Sequence, residues 1–198
     1  MADNAVKSKT TKKVRGEATA RKLVEAATIE FNTAGFHGTD TNRIARRAGF
    51  APQTFYRWYV DKMEVFLAVY RAWEDDERHT IEKLIEQDSS PSTVAKSLIA
   101  HHRKFKNFRR SLRLLSLEDE QARKARAESR RRQMTRLRAS LPAAENLSDA
   151  DLAAWLLQFE RLCDAAAENE FTDMKIRQAD AMAQVALHAA VLWPGQAK

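Results

Sequence analysis

The sequence predicts an all-α protein. A three-helix helix-turn-helix domain comes first and is joined by a long helix to a larger helical domain. Three observations carry this expectation. The 198 residues include only 5 Gly and 4 Pro, too few turn and bulge formers for a large sheet. Apolar residues recur at three- and four-residue intervals along most of the chain. Cap residues and breakers punctuate those stretches where helices would start and stop. With 44% apolar and 31% charged residues, wholesale disorder is excluded and the length suffices for a real core. Cys163 is the one cysteine, which rules out an internal disulfide and Cys-rich zinc sites. No apolar run approaches the ~18 residues of a membrane span. The basic, polar N-terminus has no hydrophobic stretch behind it, unlike a secretory signal. A soluble, cytoplasmic protein is expected.

Residues 1–16 are basic and lack packing side chains, so a flexible arm is expected. From Glu17 the repeat of Leu23, Ala27 and Phe31 marks a helix that Gly35 ends. A short helix follows over about 41–48, with Ile44, Ala45 and Ala48 on its apolar face. Gly49 turns the chain, and Pro52 opens a second short helix over about 52–58. Two short helices around a tight Gly turn are a helix-turn-helix, and the domain is placed at 17–61.

Asp61 as cap, Glu64 at N3 and Val60 facing Val65 start the next helix. It runs to about Gln87, because Phe66, Val69, Tyr70, Trp73, Ile81 and Leu84 share one broad face. Ser89-Ser90-Pro91 breaks it. Within the second domain, 62–198, helices are expected at about 92–106, 108–117, 119–140, 149–171 and 174–192. Pro142 ends the third of these, Ser148 caps the fourth, and Trp193-Pro194-Gly195 stops the last.

Charge is distributed in blocks. Residues 1–60 carry +6, 61–100 carry −4, 101–140 carry +10 and 141–198 carry −5, giving the net +7. A basic N-terminal segment suits a polyanionic partner. The arm is either a groove or phosphate contact or a solvated tail.

Residues 35–65 read GFHGTDTNRIARRAGFAPQTFYRWYVDKMEV. A recognition helix has to present polar side chains to base edges and flank them with phosphate contacts. Asn42 and Gln53 are amides suited to adenine, and Arg57 suits guanine or phosphate. Thr41, Thr54, Tyr56 and Lys62 are short or rigid phosphate donors. This block resembles the DNA-binding domain of TetR-family transcriptional regulators through Gly35-Phe36, Ile44-Ala45, Ala48-Gly49-Phe50, Thr54-Phe55-Tyr56, Tyr59, Lys62 and Val65. The resemblance implies backbone contacts by Thr41, Thr54, Tyr56, Trp58 and Lys62. It implies groove-facing positions for Asn42, Pro52, Gln53 and Arg57, with Phe55 packed inward. Trp58 and Pro52 depart from the polar residues common at those positions, so no relative's operator carries over.

Beyond residue 65 the resemblance is architectural and implies a dimerisation and effector domain. The implied function is a homodimeric, ligand-responsive regulator, a repressor by family default, binding a palindromic operator in double-stranded DNA. The alternative is a helical small-molecule sensor or interaction protein without sequence-specific DNA binding. The last two helices carry the most continuous apolar stripes. They are the candidates for the dimer interface, unless those stripes cover the monomer's own core. Tyr70, Trp73, Phe105, Phe108, Leu112, Met134, Leu137, Trp155 and Phe159 are candidate walls for a hydrophobic or amphipathic effector, with plain core as the competing assignment. The basic block at 101–140 is either a solvated face partly neutralised by Glu74-Asp75-Asp76-Glu77, or an anionic mouth to the pocket. Adjacent His101 and His102 diverge on a helix and have no evident carboxylate company in sequence, so no metal is expected. Cys163 lies in an apolar stripe and reads as a buried, inert thiol. No catalytic constellation, cofactor loop or membrane partner is indicated.

Overall fold

The structure, a computed structural model, describes residues 2–194, with side chains from Gly16 onward. Every regular element among them is an α-helix. The chain divides into two compact units, 1–72 and 73–198. The boundary falls inside the long helix rather than at its start.

In the first unit α1 (Ala2–Ala34), α2 (Thr41–Arg47), α3 (Pro52–Phe55) and the first part of α4 (Lys62–Glu86) surround Leu23, Ala27, Phe31, Ile44, Ala45, Phe55, Val65 and Phe66. The backbone expected as an arm continues α1. The arm's proposed contacts involve side chains of 1–15, which lie outside the described residues. Phe31, Phe36 and Phe66 form an aromatic knot, with edge contacts at 5.1 and 5.2 Å onto Phe66. Gly35 closes α1 with φ 71°, and its N–H donates to Phe31 O at 3.0 Å. An L side chain is strained there.

The second unit holds the rest of α4, then α5 (Pro91–Lys104), α6 (Lys106–Glu118), α7 (Glu120–Ser140), α8 (Pro142–Glu145), α9 (Asp149–Ala167), α10 (Glu170–Asp173) and α11 (Gln178–Ala189). Its core lies where α5 packs against α9 and α11, with Val94, Leu98, Ile99, Leu152, Trp155, Val185 and Ala189 at the centre. Ser90 caps α5 through Thr93 N at 3.3 Å, Asp119 caps α7 through Ala122 N at 2.9 Å, and Ser148 caps α9 through Asp151 N at 3.1 Å.

Three of the expected boundaries that move have a backbone cause. Helix α4 ends in a Schellman arrangement built on Asp88 at φ 47°, with Ser89 N on Leu84 O and Asp88 N on Ile85 O. Asn169 at φ 65° interrupts the segment expected to run to 171, so α9 stops at Ala167 and α10 is separate. Lys175 at φ 62° delays α11 to Gln178. Left-handed residues other than glycine carry little sequence signal. The apolar stripe read from α9 is spent within the monomer, since Leu152, Trp155, Leu156, Phe159, Cys163 and Ala166 are buried in it.

Candidate nucleic-acid interface

The start of α2 is fixed by Asp40, which accepts from Arg43 N at 2.8 Å. Its end is fixed by Gly49 at φ 79°, where Phe50 N reaches Ala45 O at 2.9 Å and Gly49 N reaches Arg46 O at 3.0 Å. The chain then re-enters a helix at Pro52, whose missing N–H costs nothing at N1. After Phe55 the coil continues as tight turns, with Trp58 N on Phe55 O at 2.9 Å and Tyr59 N on the same carbonyl at 3.1 Å. This continuation accounts for the longer helix expected from sequence.

Phe55 is fully buried and meets the Tyr56 and Tyr59 rings at 5.4 and 5.7 Å. With that residue facing in, helical spacing turns Gln53 and Arg57 to the opposite side, flanked by Pro52 and Tyr56. All four are exposed, as is Asn42 on α2. Thr54 is half-buried. Thr41 and Tyr56 share a hydrogen bond between their hydroxyl oxygens at 3.0 Å, tying the start of α2 to the end of α3. Trp58 is partly exposed and lies against α1: a Cβ placed on Gly16 would come within 2.6 Å of its ring.

Electrostatics separates the basic side chains. Glu30 of α1 is buried and holds both Arg47, at 2.6 Å, and Arg43, at 3.1 Å. Those two guanidiniums lock α2 onto α1. Arg46 and Arg57 are exposed and have no ion-pair partner among the described residues. Lys62 stands apart from its expected phosphate role. Its Nζ donates to Phe36 O at 2.8 Å and Thr39 O at 3.0 Å and sits 4.2 Å over the Phe36 ring. Burial pushes its pKa down. It clamps the start of α4 to the segment between α1 and α2. Neither Glu30 nor this clamp was legible in sequence, because both depend on partners far along the chain.

The candidate effector residues fall into separate groups. Leu137, Trp155 and Phe159 belong to the core of the second unit, and Met134 packs on it. Trp155 stacks on Phe159 at 4.9 Å and on His188 at 5.4 Å, and its indole N–H donates to His188 O at 3.0 Å. Tyr70 and Trp73 are buried on α4; Phe105, Phe108 and Leu112 are buried at α6. Trp73 faces His101 and lies under the Arg109 guanidinium at 4.6 Å.

The basic block is not simply a solvated face. Arg109 is 1% exposed and donates to Asp164 Oδ1 at 2.6 Å and Glu160 Oε1 at 2.8 Å. Arg126 is also buried and donates to the same Glu160 oxygen at 2.7 Å, while Arg130 holds the other at 2.7 Å. Arg113 joins Asp164 to Glu168. Arg132 and Arg136 do close on Glu74, as the acidic neighbours implied. The histidines prove to have carboxylate company: His102 meets Asp164 at 2.9 Å and Glu77 at 3.4 Å, and His101 meets Asp76 at 3.2 Å. These partners lie on α4 and α9, far away in sequence. Burial raises the Asp164 pKa, but hydrogen bonds from His102 and Arg109 and the charge of Arg109 outweigh it, holding the carboxyl below the usual range. Glu160 is likewise held low against burial by Arg109, Arg126 and Arg130. Burial pushes the Cys163 thiol up, in keeping with an inert side chain. No metal-ligating cluster occurs among the described residues, and no helix there is long and apolar enough to cross a membrane.

A helix-turn-helix with an outward polar face, followed by a helical second unit, is the arrangement the structure shows. Residues 23–69 match the family described as bacterial regulatory proteins, tetR family. A curated relative, the uncharacterized HTH-type transcriptional regulator YdgC of Bacillus subtilis, is 29% identical over 73 residues, spanning 37% of each chain. A crystal structure from Mesorhizobium loti assigned to the TetR family is 20% identical with TM-score 0.66, covering 91% of this chain and 97% of that one. FadR of Bacillus subtilis, solved with stearoyl-CoA, is 15% identical with TM-score 0.59, covering 87% and 97%. Residues 23–69 thus match the DNA-binding segment of the TetR family, and the fold over most of the chain resembles that of solved structures assigned to it.

Proposed function

We propose that the protein is a homodimeric, ligand-responsive repressor of the cytoplasm that binds a palindromic operator and is released by a small effector. The observation that carries this is the exposure of Pro52, Gln53, Tyr56 and Arg57 along α3 and the turn that follows it, backed by buried Phe55. Asn42, Gln53 and Arg57 would read bases, with Pro52 packed close to them. Thr41, Thr54, Tyr56, Trp58 and the free Arg46 would hold phosphates. Lys62 would support them through its backbone clamp. The 17–61 segment would do the binding, and 62–198 would dimerise and sense.

A two-fold dimer presents two such helices to half-sites one helical turn or a multiple apart. Support for dimerisation comes from Leu157 on α9 with Leu187 and Val191 at α11, which stay about half exposed or more after the monomer core is filled. Buried apolar side chains of the second unit, Trp73, Phe105, Phe108 and Leu112 among them, favour a hydrophobic or amphipathic effector. Stearoyl-CoA bound to FadR is a ligand of that kind. Release requires the effector to prefer the non-binding state, since equal affinity for both shifts nothing. Helix α4, unbroken from Lys62 to Glu86, is the proposed coupling element.

Selection of duplexes from a random pool, with sedimentation velocity at micromolar concentration, tests the proposal. A palindromic consensus and a dimer are expected. A monomer, or a pool that stays random, overturns it in favour of a helical sensor without sequence-specific DNA binding.

A further inference from the structure

A serine or threonine inside a helix ordinarily returns its hydroxyl to the carbonyl one turn back. Ser111 does so to Asn107 O at 3.0 Å, and Thr135 to Arg131 O at 3.1 Å. Ser129, in the middle of α7 and fully buried, does not: its Oγ has no hydrogen-bond partner in the protein. One turn earlier on the same face, Arg126 spends Nη1 on Ser116 and Nη2 on Glu160 and leaves Nε without a partner. Arg109, which shares Glu160 Oε1 with Arg126, leaves Nη1 without one. A buried donor without an acceptor costs about 1–3 kcal/mol, and more when charged. Two of these donors belong to the guanidiniums that share Glu160 Oε1, the third lies one turn along α7 from Arg126, and each calls for an acceptor.

The charge balance points the same way. Glu160 and Asp164 face Arg109, Arg113, Arg126 and Arg130. Glu168 arrives with its own partner, Arg110. Glu77 is reached through His102 and Gln133. With all of these included, one positive charge remains uncompensated. The repulsion that Glu160 and Asp164 exert on an incoming anion is thus more than offset.

We propose that Arg109 Nη1, Arg126 Nε and Ser129 Oγ form a buried receptor for the carboxylate head of a small molecule with an apolar body. The inference rests on the effector-sensing assignment of the second unit and names its ligand class. The apolar body follows from the surroundings of Arg109, which lies against the Trp73 ring on a helix whose Phe108 and Leu112 are also buried.

Straight-chain carboxylates from butanoate to decanoate, matched alcohols and inorganic phosphate are added to the full chain without DNA, and melting and calorimetric binding are read. A carboxylate of fitting length raises the melting temperature, while its alcohol and phosphate do not. Ser129→Ala leaves the unliganded melting temperature unchanged or higher, because it removes an unpaired hydroxyl. It weakens carboxylate binding about tenfold, the equivalent of ~1.4 kcal/mol. Equal shifts from carboxylate and alcohol, a shift from phosphate alone, or undiminished binding by Ser129→Ala each overturn the inference. None of these results bears on operator selection, so failure here leaves the DNA-binding proposal standing.

Discussion

Glu160→Gln perturbs the polar centre of the second unit with almost no change of shape. Oε1 accepts from Arg109 at 2.8 Å and Arg126 at 2.7 Å, and Oε2 accepts twice from Arg130, at 3.1 and 2.7 Å. In the amide one of these oxygens becomes an NH2 donor facing guanidinium donors. The charge is lost as well, leaving Arg109 only Asp164 for compensation. Removing one member of a buried ion pair costs about 3–5 kcal/mol. The Glu160 side chain keeps 16% of its surface exposed, which places the loss near the lower end, about 3 kcal/mol. For a unit of this size that lowers the melting temperature by roughly 10 °C. Thermal and urea unfolding read the effect. Arg161→Gln breaks an exposed pair with Glu170 and serves as the control, costing under about 1 kcal/mol. A Glu160→Gln protein within ~1 kcal/mol of the parent refutes the assignment of this network as a structural centre.

Three further outcomes are expected. The folded pKa values of Glu74, Glu160 and Asp164 all lie below their ordinary values. Their contribution is therefore full above the unfolded pKa of about 4 and is lost as pH falls further. Acid titration of stability should be flat above about pH 5 and steep below 4, and Glu160→Gln should flatten it; an unaltered slope contradicts the cause given. Lys62→Met leaves two carbonyls unpaired, so melting of the first unit should drop by about 1–2 kcal/mol. The salt slope of DNA binding should hold, whereas a phosphate contact would reduce it by about 0.9 per protomer. Gly16→Ala favours the helix by up to ~1 kcal/mol yet displaces the Trp58 ring. DNA affinity should fall a few-fold while stability does not, and affinity equal to the parent removes Trp58 from the interface.

Most of the helix-turn-helix was legible because its determinants are local. Asp40 caps, Gly49 takes a left-handed turn, Pro52 starts a helix and Phe55 anchors it, all within sixteen residues of chain. The outward set around Gln53 follows from that register. What escaped the sequence needed distant partners: Glu30 with Arg43 and Arg47, Lys62 with two carbonyls, and Arg109 with Glu160 and Asp164. An Arg-rich helix looks solvated when read alone, since a buried arginine is revealed only by the carboxylates brought to it. Likewise the stripe on α9 looked the same whether it faced a second copy or its own core.

The central claim is that the exposed face of α3 reads a DNA sequence. Anisotropy titration at fixed salt measures it directly, comparing a duplex selected from a random pool with a scrambled duplex, for the parent and for Gln53→Ala. The account predicts that the parent prefers the selected duplex by about a thousandfold or more. Gln53→Ala should lose about 1–3 kcal/mol per base contacted and relax preference at that position. Equal affinity of the parent for both duplexes would contradict it.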